Sequence, residues 1–191
     1  LRLRRPDDWH LHVRDGVELA AVLPFTAARF ARALVMPNLK PPMTTTAELE
    51  AYRARILAAV PAGTTFEPQM TLYLTDSTSP GEIRMARASG FVVGAKLYPA
   101  GATTHSDAGV TSIENVWSAL EAMAEHGLVL QVHGEVTDSV VDVFDREQAF
   151  IDRVLTRVAE RVPQLKVVFE HITTRAAAEF VRGARKGVAA T

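Results

Sequence analysis

The stretch Asp8-Trp9-His10-Leu11-His12-Val13-Arg14 predicts a short β-strand near the start of the chain. Successive side chains of a strand point to opposite faces, so His10, His12 and Arg14 would share one face. Two imidazoles on a stiff strand can bind one metal ion from one side, and the planar guanidinium beyond them suits a carboxylate. The alternative is a pair of histidines on a solvated edge strand, because His-x-His alone is weak evidence of a metal site.

The composition is that of an ordinary globular protein and excludes several classes of partner. The 191 residues are 48% hydrophobic and 23% charged, which is enough for one sizeable core. A formal net charge of -1 argues against a general binder of nucleic acid or anionic membranes. The chain has no cysteine, so any metal must be held by nitrogen and oxygen. No apolar run could span a bilayer and no signal peptide is visible, so we expect a cytoplasmic enzyme with no membrane partner.

Strands and helices are predicted to alternate along the whole chain. Apolar segments predict six strands, at about residues 8–14, 33–36, 70–75, 91–98, 128–133 and 165–171. A seventh strand has barely begun after Gly187. Amphipathic segments between them predict six helices, and their capping signals include Thr45, Ser79 and Thr111 with Glu114. Such alternation is compatible with a doubly wound sheet or with a (β/α)8 barrel.

Polar residues at the carboxyl ends of the predicted strands favour the barrel, since barrel enzymes build their sites there. They are Asn38, Thr75, Lys96, His133 and His171. A doubly wound sheet usually has a glycine-rich loop after its first strand, and this chain has none. A full barrel takes about 250 residues. We therefore expect residues 1–191 to form a single catalytic α/β domain, a TIM barrel of the metal-dependent hydrolase type. It would be cut at both ends, with about six βα units present and strands seven and eight missing.

Four of the six histidines would lie at the same end of this barrel, two on the first strand and two that end the fifth and sixth strands. A lone histidine at such a position is more often a hydrogen-bonded core residue. Four on convergent strands favour a divalent metal, because clustered imidazoles repel when protonated and satisfy one another poorly. Of the other two, His126 precedes a glycine that ends a helix and is interpreted as structural, and His105 as an exposed loop residue.

Lys96 is the one charged residue of its predicted strand, residues 91–98. An uncompensated ammonium inside a barrel would cost several kcal/mol and would be repelled by nearby metal ions. One alternative is a side chain that reaches solvent along its apolar stem. The functional alternatives are a Schiff-base lysine and a neutral amine that takes up CO₂ to become a carbamate. A carbamate is an anion with two oxygens and could bridge two metal ions.

The sequence resembles the amidohydrolase superfamily and, within it, the class II, bacterial-type dihydroorotases. An Asp-x-His-x-His-x-Arg pattern near the N-terminus, a lysine on strand four and histidines that end strands five and six carry this resemblance. Six segments are similar to signatures of that family: residues 6–12, 35–38, 73–76, 95–100, 132–136 and 168–174. The resemblance extends over essentially the whole chain.

The resemblance implies a role for each residue of the site. Five side chains would hold two zinc ions per subunit: His10, His12, Lys96, His133 and His171. The first two would bind the more buried zinc and the last two the second zinc, with Lys96 bridging both as N6-carboxylysine. Six side chains would bind substrate: His12, Arg14, Asn38, Thr103, Thr104 and His133. Of these, the arginine and asparagine would bind the substrate carboxylate, and the threonines would lie on a mobile lid at residues 100–111.

The implied reaction is the reversible hydrolysis of L-dihydroorotate to N-carbamoyl-L-aspartate, run in the cell toward ring closure in pyrimidine synthesis. The implied protein is a homodimer with a small-molecule substrate and no nucleic-acid partner. The catalytic acid of the family is an aspartate at the end of strand eight, which we expect beyond Thr191. Two alternatives stay open: a Schiff-base lyase that uses Lys96, and a non-catalytic relative that keeps the barrel for binding or assembly.

Overall fold

The computed structural model of the protein describes residues 3–191. Within them lie seven strands: β1 Asp7–Leu11, β2 Arg32–Val35, β3 Glu67–Leu74, β4 Val92–Leu97, β5 Val129–His133, β6 Lys166–Glu170 and β7 Val188–Ala190. The α-helices are α1 Gly16–Ala27, α2 Thr46–Ala58, α3 Pro80–Ala88, α4 Trp117–His126, α5 Arg146–Phe150, α6 Thr156–Arg161 and α7 Arg175–Gly183. A 3-10 turn, Ile113–Val116, precedes α4, and a π-helical turn, Ile151–Leu155, joins α5 to α6.

The strands form one parallel sheet in which each strand pairs with its neighbours in the chain, in the order β1 to β7. A doubly wound sheet would reverse its strand order at a switch point, and this sheet does not. In a flat sheet β1 and β6 would be separated by five strand spacings, roughly 24 Å. The imidazole of His10 in β1 nevertheless lies 3.2 Å from the carboxylate of Glu170 in β6. The sheet is therefore curled, which confirms the predicted barrel class, here as an open part of a barrel.

The first and last strands differ from the prediction. β1 ends at Leu11, and Arg14 follows it with a left-handed φ of 56°, so the prediction that Arg14 lies on the strand is wrong. At the other end, Val188 and Ala190 pair with β6. This confirms the seventh strand predicted to begin after Gly187, so strand seven is present in part and not missing. No eighth strand occurs among residues 3–191.

Local side-chain hydrogen bonds cap the first turn of several helices. Thr45 and Glu48 form the predicted capping box of α2, in which each side chain accepts from the backbone N–H of the other. Ser79 caps α3 as predicted. The predicted cap at Thr111 is wrong, because Ser112 caps the 3-10 turn that precedes α4. Thr111 donates its hydroxyl instead to a carboxylate in the loop after β3.

The hydrophobic core lies between the sheet and the surrounding helices. Its buried strand residues include Leu72, Leu74, Ala95, Leu97, Leu130, Val132 and Phe169, and its helix residues include Leu49, Tyr52, Ile56, Leu120 and Met123. Each large apolar side chain buried in this way contributes about 1.5–3 kcal/mol to folding. Since strand side chains alternate, the residues between them point to the inside of the curl, where the polar site is built. Within residues 3–191, no helix has the length and apolar character needed to cross a membrane.

Candidate metal centre and substrate cavity

Four imidazoles from the ends of three strands meet at the carboxyl end of the sheet. His10 Nε2 lies 3.0 Å from His12 Nε2. The ring centroids of His10 and His171 are 5.2 Å apart, and those of His133 and His171 are 4.8 Å apart. All four rings line one cavity of about 340 Å³. The structure thus brings together the four histidines that the sequence pattern placed on convergent strands.

The backbone at His171 explains how two adjacent residues reach the same site. β6 ends at Glu170, which is buried inside the curl. Strand alternation would send the next side chain to the opposite face. His171 instead has a left-handed φ of 44°, which brings its imidazole against that of His133. A positive φ at a residue other than glycine is strained, and such positions are found preferentially at functional sites.

The donor atoms fit a divalent transition metal. Zinc binds imidazole nitrogen at about 2.0–2.1 Å in tetrahedral geometry, which separates two ligand atoms by roughly 3.3 Å. The Nε2 atoms of His10 and His12, 3.0 Å apart, are close to that separation. Ligand atoms of His10, Glu170 and His171 also lie within 4.8 Å of one another. With no cysteine in the chain, these residues offer the nitrogen and oxygen ligands that suit zinc and similar metals.

Burial favours the neutral form of three of these imidazoles: His12, His133 and His171. Burial, together with the neighbouring imidazoles and the Lys96 ammonium, lowers the pKa of His12 and of His171 to about 4. Burial also lowers the pKa of His133, although the carboxylate of Glu135, 2.6 Å from its Nε2, acts in the opposite direction. Neutral imidazole is the form that binds a metal ion.

Lys96 is neither uncompensated nor extended into solvent, which removes the alternative of a side chain that reaches solvent along its stem. Its side chain is 0% exposed, and its ammonium donates to the carboxylate of Glu170, which is 0% exposed as well. Gln131, which pairs with Lys96 in the β4–β5 ladder, donates its amide to the same carboxylate at 3.2 Å. Burial lowers the pKa of Lys96, and the carboxylate offsets this only in part.

Glu170 is a residue of this site that the sequence patterns did not reveal. Burial raises the pKa of its carboxyl, but His10 and Lys96 more than offset the effect and hold the pKa below its usual range. The available signal was an acidic residue at the end of an apolar strand, directly before a histidine. A charge in such a strand is costly unless it is paired, so it could have been matched to Lys96.

The residues expected to bind substrate line the same cavity: Arg14, Asn38, Thr103 and Thr104. The Asn38 amide donates to the backbone oxygen of Thr104 at 3.0 Å, which ties the loop after β4 to the cavity. The Arg14 backbone oxygen accepts from the buried hydroxyl of Tyr52 at 2.6 Å, which holds the left-handed turn at Arg14. A cation and several hydrogen-bond donors therefore face the space beside the imidazoles.

Three further residues lie outside the predicted set of ligands and substrate-binding side chains. Tyr98 lines the cavity, and within residues 3–191 its buried hydroxyl has no hydrogen-bond partner. His105 is half-buried rather than exposed as expected, and its Nδ1 lies 3.3 Å from the Asn38 backbone oxygen. His126 is the last residue of α4, ahead of a glycine with φ of 72°, in agreement with its predicted position.

The chain is similar in sequence and in structure to known proteins. It is 68% identical over 191 residues to a protein named dihydroorotase from Cupriavidus taiwanensis, a match that covers 100% of this chain and 56% of the relative. A solved dihydroorotase from Campylobacter jejuni superposes with a TM-score of 0.89 at 39% identity, covering 98% of this chain and 53% of that one. A dihydroorotase from Saccharomyces cerevisiae, solved in complex with 5-fluoroorotic acid, gives 0.85 at 33% identity, with coverages of 97% and 54%. The chain thus spans about half the length of the relatives it matches.

The sequence profile of the amidohydrolase family matches residues 8–189. This range contains all five predicted metal ligands and every predicted substrate-binding residue. The resemblance to amidohydrolases, and to dihydroorotases among them, is confirmed by this match together with the relatives and structures above. Since the match extends over nearly all of the sequence, the chain belongs to the amidohydrolase family.

Proposed function

We propose that the full-length protein is a dihydroorotase, a hydrolase of the cyclic amide bond of L-dihydroorotate. The observation that carries the proposal is the convergence of four imidazoles on one cavity that Arg14 also lines, with Lys96 buried against the same cluster. The 68% identity to a protein named dihydroorotase supports the same activity. A small anionic ring is a substrate of suitable size and charge for this cavity.

The metal centre would contain two zinc ions. His10 and His12 would hold one, His133 and His171 the other, and Lys96 would bridge them as N6-carboxylysine. Carboxylation joins the lysine nitrogen to the carbon of CO₂ and releases two protons from the ammonium, so that a buried cation becomes an anion. Zinc bound at this place would polarise the amide carbonyl and make water more acidic.

The substrate carboxylate would be bound by Arg14 and Asn38. The planar guanidinium can donate two parallel hydrogen bonds to a carboxylate, which fixes the ring as well as attracting it. The imidazoles of His12 and His133 line the same cavity. Thr104 lies on the loop that is tied to Asn38, so substrate and loop would share one anchor.

Hydrolysis would add the oxygen of water to the ring carbonyl carbon, break the C–N bond and give a proton to the leaving nitrogen. Ring closure, the direction expected in the cell, is the reverse. Within residues 3–191, no carboxylic acid lines the cavity. The acid for the nitrogen would be the aspartate that the resemblance implies, in the part of the relatives that this chain does not match.

The test is a kinetic and metal analysis of the full-length protein with its Arg14→Met variant. We expect about two zinc ions per chain, turnover of dihydroorotate, and a KM raised roughly 10- to 150-fold in the variant, because a charged hydrogen bond contributes about 1.5–3 kcal/mol. Arg29→Met, at an exposed arginine outside the cavity, is the control and should leave KM unchanged. Zinc-loaded protein that does not turn over dihydroorotate would contradict the proposal.

The two alternative functions have less support. A Schiff-base lysine would account for Lys96 but would leave the four imidazoles that line the cavity without a role. A non-catalytic relative would have no need for the convergence of imidazoles and arginine on one cavity. Borohydride trapping of a carbonyl compound on Lys96 would favour the lyase.

A further inference from the structure

Glu170 has a place in the structure that the proposed function does not use. Its carboxylate accepts from the Lys96 ammonium and from the Gln131 amide at 3.2 Å, and its Oε1 lies 3.2 Å from His10 Nδ1. These three partners come from three other strands: β4, β5 and β1. The carboxylate itself does not line the cavity. It lies behind the imidazoles and connects four strands of the curled sheet.

We propose that Glu170 is a positioning residue that fixes the tautomer and the ring orientation of His10. The two nitrogens of that ring face in different directions, since Nδ1 lies against Glu170 and Nε2 lies 3.0 Å from the Nε2 of His12. A carboxylate beside Nδ1 holds the ring proton there and leaves the Nε2 lone pair free for a metal ion. The inference rests on the proposed metal site. It assigns a role to Glu170, which is not one of the five predicted metal ligands.

The contacts of Glu170 favour positioning over direct metal binding. One carboxylate oxygen, Oε1, is shared by His10 and Gln131, and the other, Oε2, accepts from Lys96. Both oxygens therefore have partners. In a site that also holds carboxylysine, Lys96 would leave Oε2, but Oε1 would still lie beside His10 Nδ1.

The experiment measures the zinc affinity of the full-length protein and of Glu170→Gln by competition with a chromogenic chelator. Loss of a carboxylate that orients a metal-binding histidine typically weakens metal binding roughly 10- to 100-fold, and we expect a loss in that range. Glu82→Gln is the matched control. Glu82 accepts from the backbone N–H and the hydroxyl of Thr46 at 2.5 and 2.6 Å, outside the cavity, so its loss should leave zinc affinity unchanged.

A second readout does not depend on zinc. Nitrogen-15 NMR of the metal-free protein, labelled at histidine, should show His10 protonated at Nδ1 in the parent and a mixture of tautomers in Glu170→Gln. Should that variant fail to fold, Glu170→Asp is measured in its place, since it keeps the charge but shortens the side chain. Its zinc affinity should be lower than that of the parent and of Glu82→Gln, but zinc binding should not be lost completely.

The outcomes separate this inference from the proposed function. Weaker zinc binding and an altered His10 tautomer in the Glu170 variants, with the control unchanged, support the inference. Parent-like zinc affinity and tautomer in those variants overturn it and leave the proposed function standing. A parent protein that binds no zinc overturns both.

Discussion

Removing the charge of Lys96 tests the buried ion pair in the metal-free protein. The side chains of Lys96 and Glu170 are both 0% exposed. Lys96→Met keeps much of the apolar stem and leaves a buried carboxylate without its cation. Breaking a buried pair from one side costs about 3–5 kcal/mol. Because the hydrogen bond from Gln131 remains and His10 Nδ1 still lies 3.2 Å from the carboxylate, we expect the lower end of that range, about 3 kcal/mol.

A double variant separates the cost of an unpaired charge from the loss of packing. Lys96→Met combined with Glu170→Gln leaves no buried charge, so its stability should return to within about 1–2 kcal/mol of the parent. Arg55→Met is the control, since it breaks an ion pair with Asp15 whose side chains are 45% and 36% exposed. That loss should be about 0–1 kcal/mol.

The assay is urea unfolding of the full-length protein after its metal has been removed with a chelator. The parent, Lys96→Met, Glu170→Gln, the double variant and Arg55→Met are compared by their midpoints and slopes. The reasoning is refuted if Lys96→Met alone costs less than about 1 kcal/mol. It is also refuted if the double variant loses the sum of the two single effects, because a charge left unpaired would then not be the cause.

Three further perturbations are predicted from contacts around the site. Tyr52→Phe removes the hydroxyl that donates to the Arg14 backbone at 2.6 Å; it should cost about 1 kcal/mol in urea unfolding and raise KM for dihydroorotate more than it lowers kcat. The pKa of His12 and of His171 is about 4 in the folded chain against an ordinary 6.5, so the unfolded chain binds more protons between those values. Urea midpoints of the metal-free protein should therefore fall as pH falls from 6.5 toward 4. Gly134→Ala would place a methyl group in a phenyl ring of β6 and should cost about 1–3 kcal/mol in the same unfolding assay.

Each of these has an outcome that contradicts it. An unchanged KM in Tyr52→Phe would mean that the tyrosine does not hold Arg14 in its turn. Midpoints that stay constant or rise as the solution is acidified would contradict neutral, buried imidazoles. Gly183→Ala is the control for the glycine variant, because a Cβ there meets nothing within 4 Å and α7 should gain up to about 1 kcal/mol. Equal effects at both glycines would contradict a close approach to Phe169.

The strands and most helix starts could be predicted because their causes are local. Continuous apolar segments reflect burial on both faces, and the caps at Thr45 and Ser79 are hydrogen bonds within three residues. The cap at Thr111 could not be predicted in this way. Thr111 and Ser112 are adjacent hydroxyl residues, and the first is engaged by Asp76, 35 positions away in the chain. Such a competition between partners is decided only by the tertiary fold.

The same distinction applies to the site. The convergence of the histidines follows from their places at strand ends, since parallel strands bring their carboxyl ends to one edge of the sheet. The partner of Lys96 does not follow from any local pattern, because Glu170 is 74 positions away. The left-handed backbone at His171 is likewise set by its surroundings. The zinc ligands, the carboxylysine and the homodimer stay predictions.

The most direct test of the metal centre is anomalous diffraction at the zinc edge from crystals of the zinc-loaded, full-length protein. We expect two anomalous peaks, one beside His10 and His12 and one beside His133 and His171. Planar density should extend from Lys96 Nζ between them. Lys96 still paired with Glu170 in such crystals, with no anomalous peak at the four imidazoles, would contradict the proposed centre.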